Sequence, residues 1–278
     1  MTANSSVYAV IGDPVAKSLS PKLHQAWFDQ ADLNASYVAL PMKSETAAED
    51  LVSLYRAGLQ GLNVTLPYKG AALAASVDAA PLAQRLGAAN TLVRSDRGWI
   101  AHNTDYSGLK RDLGDLGFET GGDAPALLIG AGGAARAAAL LLRDLGFALT
   151  IANRTPANAD ALINDLSLEA VSSAPLDAVE ALSETAALIV NAASFGHSTR
   201  PPFALAQPKA DAPLAYDLSY GAAAEGFLGL AGDAGWRTSD GLGMLVHQGA
   251  DAFALWTGLA PDRDQGLARL KAALGEAA

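Results

Sequence analysis

The 278-residue chain contains no cysteine, which removes disulfides, thiol nucleophiles and thiolate metal sites at the outset. Histidine is scarce: His24, His102, His197 and His247 fall without ligand spacing, so no metal site is expected. Positive charge is in deficit, with 19 basic against 29 acidic residues and a formal net charge of -10, which gives no electrostatic footprint for nucleic acid or an anionic membrane. A small anionic ligand would have to be held by local groups. Long apolar runs are also missing, since "ALLIGAGGAARAAALLL" is cut by glycines and Arg136 well short of a membrane span. The opening "MTANSSVYAVIG" has no basic residue before Lys17 and no apolar leader core, and the expectation is a soluble cytoplasmic protein.

Apolar residues make up 50% of the chain, ample for globular cores, and the length suits about two domains. The first hundred or so residues alternate strand and helix signals. Strands are expected at 7–11, 36–40 and 62–66, with helices from Pro21 and over 44–57, a spacing that implies right-handed crossovers and a mostly parallel sheet. "NTLVR" and "GWIAHN" flank "SDRG" as a hairpin, and "TDYSGLKRDLGDLGF" reads as a helix leading out of this first part. "ETGGDAP" (119–125) is the clearest linker-like stretch. Beyond it, strands are expected at 126–129, 148–153, 187–192 and 214–219 with helices between most of them, as a doubly wound sheet requires. In the tail helix Leu242, Leu245, Val246, Gly249, Phe253 and Trp256 share an apolar stripe, from which Gln248 and Asp251 fall away.

The segment "ALLIGAGGAARA" has the G-x-G-x-x-A form at Gly130, Gly132 and Ala135, with an apolar strand before it and a helix after it. That context serves a tight turn, a close backbone approach to a pyrophosphate, and free N–H groups at the helix start; the plain alternative is a strand-turn-helix with glycines for sterics. About 20 residues further on, where an NAD binder ends its second strand in a carboxylate, this chain has Asn153, Arg154 and Thr155. A guanidinium with neutral donors suits a 2'-phosphate and favours NADP, unless Arg154 is an ordinary loop arginine.

"GLNVTLPYKG" (61–70) poses the question of Lys69. Alternation puts Leu62, Val64 and Leu66 on one face and Asn63 and Thr65 on the other, so the stretch is either an edge strand with a surface lysine or the polar floor of a pocket. Upstream, Ser20 before Pro21 makes a good N-cap and N1 pair, whereas Ser18 has no such local duty. Two hydroxyls at a helix N-terminus can also hold a carboxylate without an arginine. Asn-Thr recurs at Asn90–Thr91 and Asn103–Thr104, the second followed by Asp105, which could simply cap a helix beginning at Tyr106.

Taken together, "GDPVAKSLSP", "GLNVTLPYKG", "GAANT", "HNTD", "GAGGAARA", "ANRT", "YDLSY" and "DGLGMLVHQGADAFALWTG" resemble the shikimate dehydrogenase family, including the related quinate/shikimate dehydrogenases. The resemblance implies an α/β protein: a mostly parallel α/β substrate domain and a Rossmann-type doubly wound NADP domain, facing each other across a cleft. The expected boundaries are 1–105 for the substrate domain, with C-terminal helices from 240–278 packing back on it, and 106–239 for the NADP domain. The implied reaction is NADPH-dependent reduction of 3-dehydroshikimate to shikimate. By the same resemblance Ser18 and Ser20 match serines that bind the substrate carboxylate, with Tyr220 nearby; Thr65, Asn90, Asp105 and Gln248 surround the ring hydroxyls; and Lys69 is the catalytic lysine. Gly130, Ala131, Gly132, Gly133 and Ala134, with Asn153, Arg154 and Thr155, match the NADP phosphate sites, and Gly241 lies near the nicotinamide. The family includes monomers and homodimers.

Lys17 replaces the family's usual histidine before the first serine, Ala193 stands for a threonine, and Ala222 and Glu225 replace a proline and a threonine after Tyr220. Asn158 stands near a place where some members carry a second basic residue. Chemically, reduction of a ring ketone needs a proton donor at oxygen, a role Lys69 fits with Asp105 orienting it. Quinate and aminoshikimate dehydrogenases are the nearest rivals. A non-catalytic dinucleotide-binding sensor is a rival of another class, and it has no need of Lys69 and Asp105 together.

Overall fold

The computed structural model describes residues 5–194 and 200–275, so His197 lies outside the described residues. The chain divides into two compact units, residues 1–108 with 245–278 and residues 109–244.

In the first unit, β1 (Ser6–Gly12), α1 (Ser20–Gln30), β2 (Ala35–Pro41), α2 (Ala47–Arg56), β3 (Gly61–Val64), α3 (Lys69–Ala74), β4 (Ser76–Ala79), α4 (Pro81–Leu86), β5 (Thr91–Arg94) and β6 (Trp99–His102) follow in order. The sheet runs β2-β1-β3-β5-β6-β4. Strands β2, β1 and β3 are mutually parallel, β3-β5 and β5-β6 are antiparallel, and β4 runs parallel to β6. Strand β3 is therefore interior and buried on both faces, not an edge strand. The expected extension through Leu66 does not form: the strand stops at Val64, Leu66 is 48% exposed, and the Leu66-Pro67 peptide is cis. Helix α2 begins at Ala47, three residues later than expected.

Helix α5 (Asp105–Asp115) opens in the first unit, starting at Asp105 and not at Tyr106. The second unit continues with β7 (Pro125–Ile129), α6 (Gly133–Asp144), β8 (Ala148–Asn153), α7 (Pro156–Asp165), β9 (Ser172–Pro175), α8 (Val179–Ser183), β10 (Leu188–Asn191), β11 (Leu214–Asp217), α9 (Glu225–Asp233) and β12 (Arg237–Ser239). Its six strands are all parallel in the order β12-β11-β10-β7-β8-β9, the doubly wound arrangement with its reversal between β7 and β10. Helix α6 is apolar almost all round, with Ala135, Ala137, Ala138, Ala139 and Leu140 to Leu142 buried, as befits a helix enclosed by its unit. "ETGGDAP" is not a boundary; Gly121 N–H donates to Leu145 O at 2.6 Å, which packs the stretch inside this unit.

Helix α10 (Leu242–Thr257) and α11 (Arg263–Leu274) close the chain. The part of this tail from Leu245 onward belongs to the first unit, where Trp256 Nε1 donates to Leu92 O (3.0 Å) and Trp27 Nε1 to Asp262 O (3.1 Å). Among the described residues no helix is long and apolar enough to cross a membrane.

Candidate active site

The turn after β3 is what delivers Lys69. Thr65 N–H donates to Ile11 O (2.8 Å), Tyr68 N–H returns to Thr65 O (3.0 Å), and the Tyr68 hydroxyl donates to Met42 O (2.6 Å). A Cβ on Gly12 would overlap the Thr65 side chain, so the end of β1 can approach this turn only as glycine. Helix α3 then starts at Lys69, whose ammonium turns inward: the residue is 8% exposed and Nζ donates to Asp105 Oδ2 at 2.6 Å.

Asp105 is held from the other side as well. Asn90 Nδ2 donates to Asp105 Oδ1 (2.8 Å) and, at longer range, to Gln248 Oε1 (3.3 Å). Gln248 comes this close because α5 presents Gly108 to it: a Cβ there would lie 2.7 Å from the Gln248 Cβ. Asn90 Oδ1 accepts the Thr104 N–H (2.7 Å), which fixes the amide with its N–H groups toward the carboxylate. Asp105 is thus no side-chain cap; its backbone N–H is capped by Asn103 Oδ1 (3.1 Å) and its carboxylate serves Lys69 and Asn90. The structure brings together Lys69, Asp105, Asn90 and Gln248, four residues singled out in the sequence. A buried carboxylate and ammonium in contact, with amides around them, can bind a polyhydroxylated ring and move a proton to or from one of its oxygens.

Thr65 lies past the strand end, half-buried, and its hydroxyl bonds no protein group among the described residues. The serines exchange the roles first expected of them. Leu19 is the N-cap of α1 and Ser20 is the first helical residue, buried, while Ser18 Oγ accepts the Ser20 N–H at 3.3 Å. The helix thus starts one residue earlier than the N-cap reading placed it, with Pro21 as its second residue. Lys17 is exposed.

Two residues with no assigned role complete the floor of this cluster. Asn63 accepts the Tyr37 hydroxyl (2.6 Å) and donates to Asn90 O and Thr91 Oγ1. The sequence signal for Tyr37 was the alternation in β2, where Ala35 and Tyr37 are buried and Ser36 and Val38 exposed. Behind Tyr37, His24 is 0% exposed, stacked on the tyrosine ring at 4.4 Å and 4°. Burial pushes its imidazole down to about 3, and neither ring nitrogen has a protein partner.

In the second unit, the glycine loop follows β7 at the point where the strand order reverses. Gly130 has φ +106°, and a Cβ there would come 3.1 Å from Ala192 C and Ala193 N. Gly132 is exposed and is the N-cap of α6, with no side-chain cap and open space where its Cβ would be. Ala131, Gly133 and Ala134 are half-buried beside it, and Ala135 is buried against the sheet. Free N–H groups at the start of a helix, with no side chain over them, fit a pyrophosphate. Asn153 Nδ2 donates to Thr155 O (2.8 Å), which shapes the turn that leaves Arg154 exposed at the end of β8. That supply of backbone donors and a solvent-facing guanidinium fits a dinucleotide with a 2'-phosphate.

Gly241 N–H donates to Ser219 O (2.8 Å), and a Cβ there would press on the carbonyls of Leu218 and Asp217. Tyr220 is half-buried and precedes Gly221, whose N–H donates to Asp240 Oδ2 (3.1 Å). Asp217 is pushed up to about 6 by burial, against hydrogen bonds from Asn191 and Ser219. Asn191 also accepts the Ala193 N–H (3.1 Å), so the threonine-to-alanine departure leaves that backbone held. Glu225 opens α9, where a carboxylate suits the helix dipole.

Three family descriptions match the chain: the shikimate dehydrogenase substrate binding domain over residues 10–92, shikimate/quinate 5-dehydrogenase over 113–200, and the shikimate 5'-dehydrogenase C-terminal domain over 241–271. The chain is 44% identical over 270 residues to a shikimate dehydrogenase (NADP(+)) of Hyphomonas neptunium, covering 94% of this chain and 95% of the relative. It is 38% identical over 273 residues to one from Lysinibacillus sphaericus, covering 96% and 98% respectively. Among solved structures, shikimate 5-dehydrogenase from Thermus thermophilus in complex with NADP(H) and shikimate superposes with a TM-score of 0.83 at 36% identity, covering 96% of this chain and 99% of that one.

Proposed function

The chain belongs to the shikimate dehydrogenase family, and on that premise we propose that it catalyses the reversible, NADPH-dependent reduction of 3-dehydroshikimate to shikimate. The observation that carries this reading is the buried Lys69–Asp105 contact of 2.6 Å, set among amides in a chain 44% identical to a shikimate dehydrogenase over nearly its whole length. A sensor would gain nothing from burying that pair, since burial of two charges is costly unless they serve some purpose.

In this reading residues 1–105, joined by the C-terminal helices, form the substrate domain and 106–239 the NADP domain. Ser18 and Ser20, with Tyr220, receive the ring carboxylate; Thr65, Asn90, Asp105 and Gln248 receive the ring hydroxyls. The start of α6 at Gly130 to Ala134 takes the pyrophosphate, Asn153 to Thr155 the 2'-phosphate, and Gly241 lies beside the nicotinamide. When bound, NADPH supplies the hydride. Lys69 as ammonium gives its proton to the carbonyl oxygen during reduction and, as neutral amine, takes it back in oxidation. Asp105 holds Lys69 on one oxygen while the other is kept by Asn90. The substrate is a small molecule, and we assign the chain to the cytoplasm as a monomer or homodimer, without nucleic-acid or membrane partners.

The test is a spectrophotometric assay with shikimate and with quinate, each with NADP+ and NAD+. Turnover with shikimate and NADP+ well above the other three combinations is expected. Faster turnover of quinate would reassign the substrate, and none with any pair would leave only a binding protein.

A further inference from the structure

Resting on that function, we propose that Tyr37 and Asn63 are positioning residues for the reaction: the Tyr37 hydroxyl fixes the Asn63 amide, and Asn63 in turn fixes Asn90 in the orientation that serves Asp105 and Lys69. All of these groups lie in the first unit.

The Asn63 amide and the Tyr37 phenol each have one permitted orientation. Asn63 Nδ2 faces the Asn90 carbonyl (3.3 Å) and Thr91 Oγ1 (3.2 Å); a carbonyl carries no proton, so the nitrogen must point there and Oδ1 must point to Tyr37. Burial holds the Tyr37 phenol well above its usual range, so it keeps its proton and donates it to Asn63 at 2.6 Å. Thr91, receiving from Asn63, lies 3.1 Å from Asn90 Oδ1 and 3.2 Å from Thr104 Oγ1, so its own proton can go to either, while Asn90 Oδ1 also accepts the Thr104 N–H. Asn90 is left with its N–H groups toward Asp105 (2.8 Å), and Asp105 toward Lys69.

Packing, not a flexible stem, sets the start of this path. The Tyr37 ring lies flat on His24 at 4.4 Å, and Ser20 stands near its hydroxyl. The same phenol therefore borders the serine that would receive the carboxylate and the amides that orient the acid/base pair. A phenol and an amide buried between strands cost desolvation that an apolar pair would avoid, so their retention calls for a role. Deleting the hydroxyl leaves Asn63 Oδ1 without its donor in a dry site, and the amide must turn or remain unsatisfied.

Tyr37→Phe removes one oxygen and keeps the ring and its stack. In shikimate oxidation by NADP+, kcat should fall about ten-fold while KM for shikimate and for NADP+ each stay within about two-fold of wild type, at a melting temperature lowered by no more than a few degrees. If Tyr37 acts through Asn63, the Tyr37→Phe/Asn63→Ala double variant should be no slower than Asn63→Ala alone. Crystal structures of wild type and Tyr37→Phe give a readout free of activity, in which the variant's Asn90 amide should be displaced from Asp105. A wild-type kcat in Tyr37→Phe, multiplicative losses in the double variant, or an undisturbed Asn90–Asp105 contact would each overturn the proposal. A wild type inactive toward shikimate would remove the proposed function instead, and the two crystal structures would still decide on Tyr37.

Discussion

Lys69 Nζ meets Asp105 Oδ2 at 2.6 Å with only 10% and 8% of the two side chains exposed. A pair this enclosed is poorly screened by solvent, and removing one partner leaves the other buried and unpaired. Lys69→Ala should lower kcat by about 10² or more while the KM for NADP+ stays near wild type. Steady-state kinetics measure both, and turnover at the wild-type rate would take Lys69 out of the chemistry.

Arg154 offers a cleaner separation, because it is exposed at the end of β8 and shapes nothing around it that the structure records. Arg154→Ala should raise the apparent KM for NADPH by about ten-fold or more and that for NADH hardly at all, since only the first carries a 2'-phosphate. Equal increases for the two cofactors would show that the guanidinium does not read that group.

His24 predicts a pH dependence of stability. Its folded value is about 3 against 6.5 for the free side chain, so the unfolded chain binds a proton more readily than the folded one. The stability linked to this group is fully present above 6.5 and is lost as pH falls toward 3, at up to about 1.4 kcal/mol per pH unit. Urea unfolding of wild type and His24→Phe between about pH 7 and about pH 5 should show the wild type falling more steeply. Parallel curves would mean that His24 takes up its proton as readily in the fold as in the unfolded chain.

Gly61, the first residue of β3, predicts a steric limit. A Cβ there would overlap the Trp256 indole, whose Nε1 is already committed to Leu92 O at 3.0 Å and cannot easily move. Gly61→Ala should cost about 1 to 3 kcal/mol, read by calorimetry as a lower melting temperature. A melting temperature equal to wild type would show that the indole yields freely.

Much of this architecture is legible in the sequence because it rests on long, strongly patterned segments. β8 spans Ala148–Asn153 as expected, and the glycine loop sits between β7 and α6. The short strands β4, β9 and β12 were not, because three or four residues such as Arg237–Ser239 carry no period of their own and are set by neighbouring strands. Leu66 shows the same limit in reverse: two-residue alternation put it on one face with Leu62 and Val64, but the chain leaves the strand at Val64 and Leu66 is exposed where they are buried.

Within the site, local signals found the residues but not their partners. Lys69 and Asp105 each stood in a recognisable segment, yet only the fold places their charges in contact. Ser20 was assigned by the usual capping preference, whereas the helix starts one residue earlier, with Leu19 as its N-cap. Tyr37 and His24 lie in none of the segments that carried the resemblance. Nothing in either segment indicates that a phenol on β2 reaches an amide on β3.

The first unit is assembled from both ends of the chain, residues 1–108 and 245–278, whereas the second is one continuous stretch. During synthesis the second unit can complete its sheet while the first still lacks Gln248 and the Trp256 anchor. The cluster around Asn90 therefore closes only once the stretch from Leu245 onward has followed the second unit. A product truncated before Leu245 would carry the glycine loop intact without the glutamine beside Asn90.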